Sequence, residues 1–347
     1  MSNSTEKSTE KKTAGEIFIE AFLRDVEEKG TLPWQRPYQV YNAFNWVSEK
    51  PYRGVNRIFL PFGEYITMNQ VKDLNKKNGT NYRFVKKEGT PQWYPVVFFK
   101  ENRKATTKDA VESVAEDMGN SIDLDNADTG FLFRDKWGYS YYKLVGDKYE
   151  KRKNVLQYYN VTQIQNFVDP DTGATIPSKV ERGDVVITVS EPREVIDDYV
   201  KRSGVKVNYE SYDVPCYIPA MDMVQLNPKS VSQEAWFSTA FHEFGHSTGA
   251  KKRLNREGIV GKDGGVRGTD TYAVEECIAE ICAALCCSEC GVCKSEKDFE
   301  TSGTRAYENS LAYVQGWKKR IKDWGSSFIY VCSQAEKAFQ YIMGEDV

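Results

Sequence analysis

Thr239-Ala-Phe-His-Glu-Phe-Gly-His-Ser-Thr-Gly249 holds both histidines of this 347-residue chain. Two histidines scattered at random rarely fall four apart, and more rarely with Glu directly after the first. A helix places residues four apart on one face. His242 and His246 can therefore reach one metal ion, with Glu243 beside them to polarise a water, the logic of a His-Glu-x-x-His motif. Ser230-Val-Ser-Gln233 offers a capping box ahead of Trp236, Phe241 and Phe244, so the spacing predicts a helix over 231–248, ended by Gly249.

A catalytic zinc takes three protein ligands and keeps an open position. With no third histidine, the remaining ligand must be a carboxylate or a thiolate. The next predicted helix, 272–287 (YAVEECIAEICAALCC), presents Glu276 and Glu280 four apart. Such a pair can supply one ligand and one carboxylate that orients a ligand histidine. This reading takes Glu276 as the ligand and Glu280 as the orienting group, with Glu275 as the rival ligand and one Zn2+ as the ion. Peptide hydrolysis at the site would use Glu243 as general base. An oxyanion stabiliser cannot be a histidine, which leaves Tyr272 or Arg253. A bare His-Glu-x-x-His also arises by chance in helical proteins. The cap, the acidic helix downstream and the use of both histidines in one motif outweigh that, although such a site can be kept for a role other than proteolysis.

Six of the eight cysteines lie between Cys277 and Cys293. Cys286, Cys287, Cys290 and Cys293 could form a second zinc site, but the separated pairs of a zinc ribbon are absent. Cys277, Cys282 and Cys286 also fall on the predicted helix, where a thiol packs as a small apolar residue. The core role is the better account.

Working outward, 347 residues suggest two domains. No apolar run is long enough to span a membrane, and the polar Met1–Thr13 stretch lacks a signal-peptide core, so a cytoplasmic location is expected. Residues 14–29 read as an amphipathic helix ending at Gly30, and 66–77 as a helix capped by Thr67. Strand-like runs follow at 82–86, 93–100, 131–133, 139–144 and 155–161. Seven acidic residues between Asp109 and Asp128 mark 105–130 as a solvated insertion. The expected fold class is α+β in two domains: a disordered tail over 1–12, an N-terminal α/β domain over 13–168, a turn-rich linker over 169–180, and a C-terminal domain over 181–347.

The net charge of −3 conceals an asymmetry. Residues 31–100 carry 11 Lys/Arg against 4 Asp/Glu, and 15 aromatic residues. Single-stranded nucleic acid is bound by positive grooves combined with aromatic platforms. Trp34, Trp46, Tyr52, Tyr82 and Trp93, interleaved with Arg36, Lys50, Arg53, Arg57, Lys86 and Lys87, supply both ingredients. The competing account is a small aromatic core beneath a solvated charged face.

Several motifs in order then carry a resemblance. Lys50-Pro-Tyr-Arg-Gly-Val-Asn56 after Pro33-Trp34, Thr67-Met-Asn-Gln70, Gly89-Thr-Pro91, Pro95-Val-Val-Phe-Phe-Lys100 and Val155-Leu-Gln-Tyr-Tyr-Asn-Val161 resemble the N-terminal domain of ArdC-type antirestriction proteins. Thr239–Gly249, Arg253-Leu-Asn-Arg256 and Tyr272-Ala-Val-Glu-Glu-Cys-Ile-Ala-Glu280 are similar to that family's zincin-like metallopeptidase domain. The resemblance implies an N-terminal domain that binds single-stranded DNA, Asn56 among its candidate contacts, and a C-terminal zincin. It implies His242, His246 and Glu276 as metal ligands and Glu243 as catalytic acid/base. It also implies carriage on a mobile element and protection of incoming DNA from restriction. The acidic 105–130 stretch and the Cys286–Cys293 segment depart from the family pattern. Three functions follow: an antirestriction protein with a zincin site, a DNA-tethered zinc metalloprotease cleaving a replication, transfer or restriction protein, or a DNA-binding protein whose zincin domain is structural.

Overall fold

A computed structural model describes residues 12–35, 43–85, 93–107, 131–135, 138–145, 148–184, 189–211, 213–229, 232–262, 269–292 and 303–345. In chain order, the helices used below are α1 (Ala14–Lys29), α2 (Val55–Phe59), α3 (Met68–Asn78), α4 (Pro192–Ser203), α5 (Gln233–Ser247), α6 (Glu257–Val260), α7 (Asp270–Glu289), α8 (Gly303–Trp324) and α9 (Ser327–Met343). The strands are β1 (Phe44–Asn45), β2 (Glu64–Ile66), β3 (Arg83–Phe84), β4 (Tyr94–Thr106), β5 (Phe131–Asp135), β6 (Gly138–Val145), β7 (Lys148–Gln163), β8 (Phe167–Val168), β9 (Lys206–Asn208), β10 (Cys216–Ile218) and β11 (Met223–Gln225). Helices and strands are mixed along the chain, so the α+β class holds.

The chain divides into two compact units, Met1–Phe18 with Val96–Tyr159, and Ile19–Pro95 with Asn160–Val347. In the smaller unit β5, β6 and β7 form an antiparallel meander. β5 pairs with β6 from Phe131↔Tyr142 to Asp135↔Gly138, β6 pairs with β7 from Ser140↔Lys153 to Val145↔Lys148, and β4 also pairs with β7. The acidic stretch expected as an insertion lies outside the described residues, apart from the end of β4 and Thr107.

The expected linker at 169–180 lies inside the larger unit, which joins residues on both sides of it. The reason is local pairing. β3 pairs with β8, and the last residues of β7 pair with β2 at Tyr65↔Gln163. Buried Glu64 then accepts from the hydroxyl of Ser178 and the backbone N–H groups of Lys179 and Val180. Trp46 Nε1 donates to Pro177 O at 3.0 Å, and Lys179 lies over the Trp46 ring. A turn-rich composition marks irregular backbone, but here every turn is tied to a neighbour. Ile66, Val71, Ile164, Phe167 and Ile176 form the core beneath it.

α3 is capped as the sequence suggests: Thr67 and Gln70 exchange hydrogen bonds with each other's backbone, and Gly79 closes the helix at φ 67°. α5 departs from expectation at its start. Its N-cap is Ser232, whose side chain accepts from Ala235 N, so there is no capping box, and Ser230 lies outside the described residues. β9, β11 and β10 form a three-stranded sheet in that order, with β11 parallel to β9 and antiparallel to β10. α5 packs on β10 and β11, α7 packs on α5, and α9 packs on α7. α7 is apolar and buried along most of its length, as expected of a helix enclosed on several sides.

Candidate metal centre

α5 and α7 approach closely because small residues meet where they touch. A Cβ on Gly245 would come within 3.3 Å of Ala279 Cα. This contact brings the face of α5 that carries the histidines against Glu276 of α7. His242 Nε2 and His246 Nε2 lie 3.1 Å apart. Glu276 Oε2 is 3.6 Å from His242 Nε2, and Oε1 is 3.5 Å from His246 Nε2. Zinc–ligand bonds of about 2.0–2.1 Å at tetrahedral angles separate two ligand atoms by roughly 3.3 Å, so these three side chains have the spacing of one ion's ligands. Among the described residues, His242, His246 and Glu276 are the one group with such an arrangement.

Both sides of this triad are electrostatically prepared. Burial raises the Glu276 carboxyl, but a hydrogen bond from His242, the His246 charge and a hydrogen bond from Tyr272 outweigh it and set it at about 2. It is therefore a carboxylate at neutral pH. Burial lowers His242, while Glu276, Glu243 and Glu280 raise it more. Glu243, next to His242, is buried. Tyr272 thus sits on Glu276, one turn away along α7.

The histidine-orienting carboxylate is Glu275, which the sequence offered as a rival ligand. Its Oε1 lies 3.3 Å from His246 Nδ1, on the side of the ring away from the triad. An Nδ1–H donating there leaves the Nε2 lone pair facing the triad. Buried Arg256 fixes this glutamate with two hydrogen bonds, Nη2 to Oε1 at 2.5 Å and Nε to Oε2 at 2.9 Å. The same guanidinium donates to Gly245 O at 2.8 Å and Thr248 Oγ1 at 2.6 Å. Burial raises Glu275, but Arg256 outweighs it and holds the carboxyl below its ordinary value. Glu280 acts on His242 through its charge. The sequence signal for Arg256 was present in Arg253-Leu-Asn-Arg256, but nothing in spacing says which arginine turns inward to the histidines. Arg253 is not the oxyanion stabiliser considered above. Its side chain is enclosed and donates to Asp222, Tyr217 and Ser247 O.

Cys277, Cys282, Cys286, Cys287 and Cys290 are buried free thiols. Burial pushes Cys290 up to about 12 and Cys277 and Cys286 well above the ordinary thiol range, as for thiols packed in an apolar interior. The core role accounts for them, while Cys293 lies outside the described residues.

The expected DNA contacts separate into three groups. Trp34 and Tyr52 are core residues: Trp34 packs on Phe22 and Phe328, and Tyr52 packs edge-on against Tyr65. Neither has a free ring face for a base. Arg57 is enclosed as well, 2.9 Å from Glu289, 3.6 Å from Glu336 and 4.3 Å over the Phe339 ring, so its charge is already met. Trp46 and Asn56 are half-buried and Arg53 is exposed, while Arg36, Lys86 and Lys87 lie outside the described residues. Sequence reasoning passed over Phe98, Phe99, Tyr158 and Tyr159, all exposed, on β4 and β7 of the smaller unit. The Phe98 and Tyr159 rings lie 5.5 Å apart on one face. Alternation along a strand turns Phe99 and Tyr158 to the other. The signal was there in two aromatic doublets on strand-like runs, since adjacent rings on one strand cannot both be buried by a single core.

α5 thus carries a His-Glu-x-x-His that faces a glutamate on α7, and residues 194–330 match the family model described as zincin-like metallopeptidase. Over the whole chain the fold is that of the antirestriction protein ArdC from the R388 plasmid. Its metal-free crystal structure aligns with 96% of this chain and 99% of that one at a TM-score of 0.55 and 19% identity. Its Mn(II)-bound structure aligns with 95% and 97% at a TM-score of 0.55 and 20% identity. In sequence the chain is 25% identical to an Escherichia coli DNA primase TraC over 345 residues, 96% of this chain and 20% of that protein. A second TraC from Escherichia coli is 23% identical over 90% of this chain and 25% of its own length. This chain therefore spans a quarter or less of those two relatives. Among the described residues no helix is long and apolar enough to cross a membrane.

Proposed function

We propose that this chain is an ArdC-like antirestriction protein of a mobile element, acting in the cytoplasm, that binds single-stranded DNA and carries a one-metal zincin site. The observation that carries the reading is the convergence of His242, His246 and Glu276 beside buried Glu243, within a chain that has the ArdC fold. His242, His246 and Glu276 hold the ion, and Glu275 with Arg256 keeps His246 in the liganding tautomer. Zinc suits two imidazoles and a carboxylate, and the similar ArdC from the R388 plasmid has an Mn(II)-bound structure. When bound, the metal supplies Lewis acidity toward a carbonyl oxygen. Glu243 accepts the proton of an attacking water and returns it to the leaving amine. Tyr272 steadies Glu276. The same machinery supports the second reading, a DNA-tethered metalloprotease, because the general base is retained.

DNA binding is assigned to the exposed β4–β7 ribbon instead of the buried aromatics. Phe98, Phe99, Tyr158 and Tyr159 offer stacking platforms, and exposed Lys100, Arg103 and Lys104 offer phosphate contacts. Phe99→Ala should weaken single-strand affinity with an unchanged salt slope, and Lys104→Ala should reduce that slope by about one. Unchanged affinity in both would remove the ribbon from the interface. Metal analysis of the purified protein and of His246→Ala tests the site. Restriction protection by Glu243→Gln separates the roles: full protection means that hydrolysis is not needed for it.

A further inference from the structure

Behind the metal centre, a cavity of about 450 Å3 opens between the segment following α5, the first turns of α7 and α9. Small-ligand sites occupy roughly 300–1,000 Å3. Leu254, Val274 and Ile278 give it an apolar wall, and Tyr330 stands at it with 63% of its surface exposed, far more than an aromatic side chain needs for packing. The one cation among its lining residues is Arg256, and that guanidinium is spent on Glu275, Gly245 O and Thr248. Glu275 is spent in turn on Arg256 and His246. The charge left to meet a ligand is that of Glu257 and Asp270, both exposed carboxylates.

We propose that this cavity binds a cationic group on a short apolar stem: an ammonium or guanidinium of the kind borne by lysine and arginine. Glu257 and Asp270 hold the charge. The stem lies along Val274 and Ile278, and the Tyr330 ring offers its face to the cation. An anion would be repelled by both carboxylates. A wholly apolar ligand would strip water from them and give nothing back. Asn255, Thr271 and Gln334 supply neutral hydrogen-bonding groups around the same space. The assignment stands apart from the metal and DNA readings, since none of the three metal-binding side chains lines the cavity.

The test is a calorimetric titration of the full chain, metal-loaded and after chelation, with N-acetyl-argininamide, N-acetyl-lysinamide, acetyl-Gly-Arg-Gly-amide and agmatine. The uncharged isostere N-acetyl-citrullinamide is the control. At least one cation should bind saturably at one site, about tenfold or more tighter than the citrulline compound, since a hydrogen bond to a charged group is worth about 1.5–3 kcal/mol. The Glu257→Gln/Asp270→Asn double variant should lose that tenfold, and Tyr330→Ala should lose severalfold. All three residues are exposed, so unchanged circular dichroism and Tm establish that these variants fold. The tripeptide exceeding agmatine assigns the site to a polypeptide side chain, and the reverse assigns it to a free amine. Equal binding of the citrulline compound, undiminished binding by the double variant, or no saturable binding of any cation overturns the proposal.

Discussion

His246 makes two kinds of contact, and its environment explains both. Nε2 faces His242 and Glu276, while Nδ1 faces a carboxylate that Arg256 clamps in place. Losing such an orienting partner costs about 10–100-fold in metal affinity. Glu275→Gln should therefore weaken metal binding by that factor in a competition with a chromophoric chelator, and Glu280→Gln should cost less. The reverse order would mean that Glu280 is the orienting group. A second, half-buried network lies at Asp222, a residue in the left-handed region at φ 47°. Burial raises its carboxyl, but hydrogen bonds from Arg253, Lys252 and Tyr217 outweigh that and hold it well below the usual carboxylate range. A carboxyl depressed in the folded state adds stability above its unfolded pKa of about 3.9, and that stability is lost as pH falls through the folded value. The wild-type protein should lose stability below about pH 4 more steeply than Asp222→Asn, as read by chemical denaturation across pH; parallel acid limbs would exclude this contribution.

At the scale of elements, the candidate metal centre depends on how closely the segment after α5 and α7 can pack. A Cβ on Gly258 would lie 2.6 Å from Glu275 Cβ and 2.9 Å from its Oε2. Overpacking of this kind costs about 1–3 kcal/mol. Gly258→Ala should show that loss in urea unfolding, with metal affinity falling alongside because Glu275 is displaced. α1 and the turn at Pro33–Gln35 pack differently, through aromatic contact with α9. Phe22 meets Phe328 edge-on at 5.1 Å, and Trp34 lies 6.1 Å from the same ring. Trp34→Ala should cost about 3–5 kcal/mol of stability, the range for removing a large buried aromatic. The folded fraction should bind single-stranded DNA normally. A specific loss of DNA affinity without destabilisation would return Trp34 to the interface.

At the scale of the whole molecule, the zincin-like segment shares one compact unit with residues from the N-terminal part of the chain. The larger unit joins Ile19–Pro95 to Asn160–Val347, and Trp34, Arg57 and Glu27 contact Phe328, Glu289 with Glu336, and Lys318 respectively. A fragment of residues 181–347 leaves Glu336 and Glu289 without Arg57 and exposes the Phe328 surface. It should fail to unfold cooperatively where the full chain does, as followed by near-ultraviolet circular dichroism. A cooperative transition in the fragment would restore a domain boundary near 169–180.

The sequence alone determined that His242, Glu243 and His246 share one helix, because helical periodicity is local and both histidines are spent in one motif. It also determined α1, α3 and the strands β3 to β7, whose caps and alternation are written in neighbouring residues. Only the tertiary structure decided which glutamate backs His246, since that depends on Arg256 turning inward from a loop to meet α7. It decided which aromatics are core and which are surface as well. Composition places rings and charges in a segment, but burial depends on partners far along the chain, such as Phe328 for Trp34 and Glu289 for Arg57.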